Sequence, residues 1–224
     1  MQLLGREVGL LSGLTCLRLE RLDLHASAWS IFVTSAGFRL GSDKQSGSSE
    51  EMDIRDLEYV HQHQPWHPHF RPRPASAVPL LQSLRLLSFS CSNLDDAAMQ
   101  PVASMLRWLE HLTHQDLSYN SIAVPGSKLL SRALSGSAGG GARTSPCSIT
   151  RSLALTNLQI LNLQNCVVDG DRVLALEAVL CQLVSMRKLT LNAREWGDGK
   201  EQHTCARSLQ RVQIANPHLS IAST

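Results

Sequence analysis

Leu158–Leu180 reads LQILNLQNCVVDGDRVLALEAVL, and its periodicity changes half-way along. In the first half, apolar residues fall at Leu158, Leu161, Leu163, Cys166 and Val168. Strict alternation about Leu161 and Leu163 suits a short strand with one buried face. In the second half Val173, Leu176, Val179, Leu180 and Leu183 recur three or four apart, the spacing of one helix face. One strand and one helix of this length bury too little apolar surface to stand alone. Recurrence of the pattern decides the fold.

The pattern does recur. Leu84, Leu87, Phe89, Ser92 and Leu94 have the same spacing, as do Leu112, Gln115, Leu117, Asn120 and Ile122. Residues 14–24 offer Leu14, Leu17, Leu19, Leu22 and Leu24, in competition with a frame running from Leu19 to Trp29. Met186, Leu189, Leu191, Arg194 and Trp196 make a looser copy, and Leu209, Val212, Ile214, Pro217 and Leu219 are read as the last strand half. The helix halves check the frame independently. Eight and twelve residues past Leu94, Ile122 and Val168 stand Val102 and Leu106, Leu130 and Leu134, Leu176 and Leu180, all aliphatic.

These spacings resemble the leucine-rich repeat motif L-x-x-L-x-L-x-x-N/C-x-L, with Cys166 in the N/C place and Ser92 standing where asparagine is usual. Leu84 to Leu112 and Leu158 to Met186 are each 28 residues, a period similar to the ribonuclease-inhibitor-like class. NSIAVPGSKLLSRAL resembles that class's N-x-I-x-x-x-G-x-x-x-L-x-x-A-L wording through Asn120, Gly126, Leu130, Ala133 and Leu134. The resemblance covers about 14–36, 84–134 and 153–219. It implies an α/β solenoid, a short horseshoe arc with parallel strands on its concave face and helices on its convex face.

Two stretches break the period. Leu112 to Leu158 is 46 residues, and the excess lies in SGSAGGGARTSPCSITRS, residues 135–152. Glycine and serine there bury too little to offset their ordering entropy, so an excursion from the stack is expected. Residues 37–79 run from GSDKQSGSSEEMD to HQHQPWHPHFRPRP, where prolines deny helix and ladder. The expected organisation is therefore a repeat segment over 1–36, a low-order insert over 37–79, repeats over 80–134, an insert over 135–152, and repeats over 153–224.

Composition bounds the function. The 224 residues carry a formal charge of +2, which gives no electrostatic case for nucleic acid or acidic lipid. Arg6 and Glu7 interrupt the first apolar run, and no uncharged stretch approaches the ~18 residues needed to span a bilayer. Six cysteines without a C-x-x-C pair suit a reducing compartment, cytoplasm or nucleus. No G-x-S-x-G, H-E-x-x-H or phosphate-binding loop is present, so neither enzyme chemistry nor a cofactor is expected. His61, His63, His67 and His69 form two H-x-H pairs, but no acid or thiol completes a compact ligand set. Trp66, Phe70, Arg71 and Arg73 make a basic aromatic patch too small for an RNA-binding reading. Asp95–Asp96 and Asp169/Asp171 precede helix halves, where carboxylates cap free N–H groups. Cys166 is read as bonding the backbone of its turn, as the resemblance implies, rather than as a nucleophile.

The expected binding surface consists of the residues alternating with the buried leucines. These are Ser88, Ser90, Asp116, Ser118, Asn162, Gln164, Thr190, Asn192, Gln213 and Ala215. The function expected is a non-catalytic scaffold that binds a partner protein through this concave face. The alternative is a regulator of a partner enzyme such as a small GTPase, or a ubiquitin-ligase substrate adaptor. Residues 3–11 read as the helix half of an earlier repeat, and no polar capping unit follows Leu219. Further chain or a partner complex is therefore expected over the exposed repeat ends.

Overall fold

Each change of periodicity from two to three-and-a-half marks a passage from strand to helix. A computed structural model describes residues 1–10, 13–38, 80–135, 155–166, 170–192 and 199–223. Six helices and six strands alternate among the described residues. They are α1 (Gln2–Leu10), β1 (Cys16–Arg18), α2 (Ala26–Ser35), β2 (Leu86–Ser88), α3 (Asp96–Leu106) and β3 (His114–Asp116). There follow α4 (Val124–Leu134), β4 (Ile160–Leu163), α5 (Gly170–Leu180), β5 (Lys188–Leu191), α6 (Gly199–Ala215) and β6 (Ser220–Ser223).

The strands form one parallel sheet in chain order. Its register aligns Leu17, Leu87, Gln115, Leu161, Leu189 and Ile221 in one row. Parallel neighbours require a crossover connection, and crossovers of one hand place their helices on one side of the sheet. Each helix accordingly packs on the helix before it and the helix after it. Between the layers lie Leu87, Leu161 and Leu189 from the strands and Val102, Leu106, Leu130, Leu134, Leu176 and Leu180 from the helices, all buried. Each such side chain contributes roughly 1.5–3 kcal/mol of burial.

The turn after each of the first four strands has a common geometry. Arg21, Cys91, Tyr119 and Asn165 all have φ between 50° and 58°, the left-handed region. Just beyond them, Ser92, Asn120 and Cys166 point inward and tie adjacent turns together. Asn120 Nδ2 donates to the carbonyls of Phe89 and Leu117 at 2.8 Å and of Ser118 at 3.1 Å. Its Oδ1 accepts from the amides of Ser92 at 3.0 Å and Leu94 at 2.9 Å. Ser92 Oγ donates to Leu19 O at 2.7 Å, and Cys166 Sγ donates to Leu117 O at 3.0 Å. The buried turns are thus satisfied by side chains of neighbouring units.

Helix starts follow the same economy. Asp95 caps α3 by accepting from the Ala98 amide at 2.8 Å. Asp96 does something the sequence reading did not assign to it. Its Oδ1 crosses to the next helix and accepts from the amides of Ala123 at 2.7 Å and Gly126 at 2.9 Å. Gly126 is required there, since a Cβ would lie 2.6 Å from Asp96 Oδ1 and 2.8 Å from Ile122 Cγ2.

Pairing of Leu17 with Leu87 selects the frame that begins at Leu14 over the one that begins at Leu19. Trp29, from the rejected frame, is instead buried on α2, edge-on to Phe32 and Phe89 at centroid distances of 6.1 and 4.8 Å. The last frame is corrected. Leu209, Val212 and Ile214 lie on α6, and the strand that pairs with β5 is Ser220–Ser223. The strand spacing was shared by a helix stripe. Cys205, Ser208, Leu209, Val212 and Asn216 are buried at helical intervals, whereas Ile214 is 72% exposed.

Gly37, with φ of 93°, ends the turn after α2, and Phe38 beyond it is buried in the core. Nearly all of the expected inserts at 37–79 and 135–152 lies outside the described residues, including the histidine and arginine run at 61–73. Asp169, Arg194 and Trp196 lie outside them as well.

Candidate functional site

With all the helices on one side, the other face of the sheet is made of the side chains that alternate with the core row. Their order follows from the register. Cys16, Leu86, His114, Ile160, Lys188 and Ser220 form a first row; Arg18, Ser88, Asp116, Asn162, Thr190 and Ala222 form a second. Glu20, Ser90, Ser118, Gln164 and Asn192 continue the alternation just past the strands. The β1 to β5 part of these rows, from Arg18 and Leu86 to Lys188 and Thr190, lines a depression of about 280 Å³ together with Glu20, Leu87 and Gln115.

Eight of the residues expected on this face are brought together there: Ser88, Ser90, Asp116, Ser118, Asn162, Gln164, Thr190 and Asn192. Ser88, Ser118, Thr190 and Asn192 are nevertheless buried. Small side chains between longer ones sink below the surface, and their polar atoms bond laterally. Ser88 Oγ donates to Glu20 Oε1 at 2.8 Å, and Ser118 Oγ donates to Asp116 Oδ1 at 2.6 Å. The Ser90 and Ser118 hydroxyls share a bond of 3.0 Å, and Asn192 Nδ2 donates to Asn165 Oδ1 at 3.0 Å. Asn162 Oδ1 accepts from the Gln164 amide at 3.1 Å. These cross-links hold the polar groups in fixed directions.

Gln213 does not belong to the face. It lies on α6, where its Nε2 donates to Leu219 O at 2.6 Å, and Ala215 ends the same helix. Both were assigned through the misplaced last strand. The face also contains residues that the sequence reading missed: Arg18, Glu20, Leu86, His114, Ile160 and Lys188 line the depression. Carrying the same alternation one step toward each strand's N-terminus, and to β1, finds all six. His114 Nδ1 shares a 2.8 Å hydrogen bond with Thr113 Oγ1.

The chain matches no known family model and no curated protein.

What the face can do therefore follows from its own chemistry: hydrogen bonding, exposed charge and two half-buried aliphatic side chains, Leu86 and Ile160. Among the described residues no group of three histidine, cysteine, aspartate or glutamate side chains is placed to hold a metal ion. No described helix is long and apolar enough to cross a membrane. On the helix side, two titrating groups are shifted from their ordinary values. A hydrogen bond from Ser208 lowers the Glu177 pKa, with Arg211 acting in the same direction against burial. Burial raises the pKa of the Cys181 thiol, and the negative charge of Glu177 raises it further.

Proposed function

We propose that this chain is a leucine-rich-repeat solenoid of the ribonuclease-inhibitor-like class, and that it serves as a non-catalytic scaffold. In this reading the open face of the sheet is the concave surface and receives a partner protein. The repeated left-handed turns and the inward Ser92, Asn120 and Cys166 support the repeat reading. The observation that carries the functional reading is the laterally bonded polar face itself. Groups already held in place lose little freedom when a partner arrives, so more of the contact energy appears as affinity. Exposed thiols at Cys16 and Cys91 suit a cytoplasmic or nuclear setting.

Affinity capture with Asn162→Arg, set beside a helix-side control, Lys128→Glu, tests this reading. Proteins captured by the wild-type chain should be lost with Asn162→Arg and kept with Lys128→Glu. Capture insensitive to Asn162→Arg would place the partner surface elsewhere.

A further inference from the structure

The charges on the open face alternate across the sheet. Arg18 stands on β1, Asp116 on β3 and Lys188 on β5, all lining the same depression. Arg18 and Lys188 are exposed and have no ion-pair partner among the described residues. Asp116 is half-buried, and its Oδ1 is oriented by the amide and hydroxyl of Ser118. Glu20, the other carboxylate at the rim, is bonded to Ser88. Leu86 and Ile160, both half-buried, stand on the intervening strands β2 and β4, in the first row with Lys188, one row from Arg18 and Asp116. Taken strand by strand over these two adjacent rows, the order from β1 to β5 is cation, aliphatic, anion, aliphatic, cation.

Neighbouring strands stand about 4.8 Å apart, so Arg18 and Asp116, in one row on alternate strands, are roughly 9.6 Å apart, and Lys188 lies the same distance further across the sheet with roughly 6.6 Å of displacement along the strand. A polyproline-II helix advances about 3.1 Å per residue with three residues per turn, so every third side chain returns to one side after roughly 9.3 Å. The two repeats match. A β-strand crossing the same floor would turn residues three apart to opposite sides. Polyproline II also needs no backbone partners, which suits a floor whose backbone groups are engaged in the sheet. Lys188 stands one row below Arg18 and Asp116, an offset that its long side chain can span.

We infer that the open face recognises a polyproline-II segment of a partner protein carrying acidic, basic and acidic residues at every third position, with apolar residues between them over Leu86 and Ile160. This rests on the proposal that the open face is the partner surface, and adds the conformation and charge order of the partner.

Two labelled peptides, EPPKPPE and KPPEPPK, test it by fluorescence anisotropy. Three ion pairs, two at exposed cations and one at half-buried Asp116, at roughly twofold each give the first peptide an advantage of about eightfold at low salt, shrinking as salt screens them. Arg18→Glu/Lys188→Glu, changed only at exposed positions, should abolish or reverse that preference. Adding Asp116→Lys should make the reversal complete if the triple variant folds; the double variant decides the matter if it does not. Equal binding of both peptides by the wild type, or a preference unchanged in the double variant, overturns the inference. Should cellular partners still be lost with Asn162→Arg while the peptides are not distinguished, the open face remains the partner surface and only the charge order fails.

Discussion

Gln115 occupies the core row between Leu87 and Leu161, is 1% exposed, and leaves both ends of its amide without a hydrogen bond among the described residues. A buried amide without partners costs about 1–3 kcal/mol in lost hydration. Leucine at this place removes that demand and has a similar volume. Gln115→Leu is therefore expected to raise stability by about 1–2 kcal/mol in denaturant melts, by surface bookkeeping. From sequence alone, Asp116→Leu is a neutral control. The hydrogen bonds from Ser118 change that expectation, because the variant would remove the acceptor of the Ser118 amide and leave the buried Ser118 hydroxyl only its bond to Ser90. Asp116→Leu should instead cost about 1 kcal/mol or more. If Asp116→Leu stabilises while Gln115→Leu does not, β3 is slipped by one residue and the faces are exchanged.

At the scale of elements, side chains of one unit complete the backbone of the next. Asn120 satisfies two amides and three carbonyls across two turns. Asn120→Ala should cost at least about 3 kcal/mol, since several buried groups lose their partner together. Asp96 and Gly126 form a second such joint. Asp96→Ala leaves the α4 amides uncapped, worth about 1–2 kcal/mol. Gly126→Ala drives a Cβ into the same carboxylate. Their effects should be clearly non-additive in a double-mutant cycle, because the Gly126 clash includes the group that Asp96→Ala removes. Independent effects would mean that the cross-helix cap contributes nothing. Recurrent leucine spacing made strands β1 to β5 legible, because each has an aliphatic core residue or a neighbour in frame. β6 was not legible. Its sequence, SIAS, has a single strongly apolar residue, and a strand-like triplet on α6 drew the frame away. The face rows were half-legible: alternation identified the polar residues, while the charged and aliphatic ones lay one step outside the motif.

At the scale of the whole stack, the α-helices among the described residues pack only against their neighbours in chain order, with α1 also touching the short 3-10 turn Leu80–Ser83, so stability is expected to depend on the weakest joint. Between α5 and α6, Glu177 Oε1 lies 3.1 Å from Arg211 Nη1, but the Arg211 side chain is 67% exposed and the ion pair alone is worth little. The lowered pKa of Glu177, caused first by Ser208, still makes this joint acid-sensitive. Its contribution is complete above the unfolded-state pKa of about 4.3 and disappears as pH falls through the lower folded value. Glu177→Gln should flatten that part of the acid limb in urea melts run below about pH 4.3. An unchanged slope would show that Glu177 has no part in it.

The shorter of the two breaks in the period lies between α4 and β4, and across it β3 still pairs with β4 through Gln115 and Leu161, and α4 still packs on α5. Both layers are therefore continuous across the break. Leu106 and Leu112 are six residues apart where the period is unbroken. Deleting Ser137–Ser148 would leave Leu134 and Leu158 twelve residues apart, so the remaining connection is long enough. Closing a shorter loop changes the entropy only slowly with length, by well under about 1 kcal/mol for such a change. The deletion should leave helical content, melting temperature and cooperativity nearly unchanged by circular dichroism. Loss of cooperative unfolding would mean that the deleted residues stabilise the stack, and that the two layers do not close across the break by themselves.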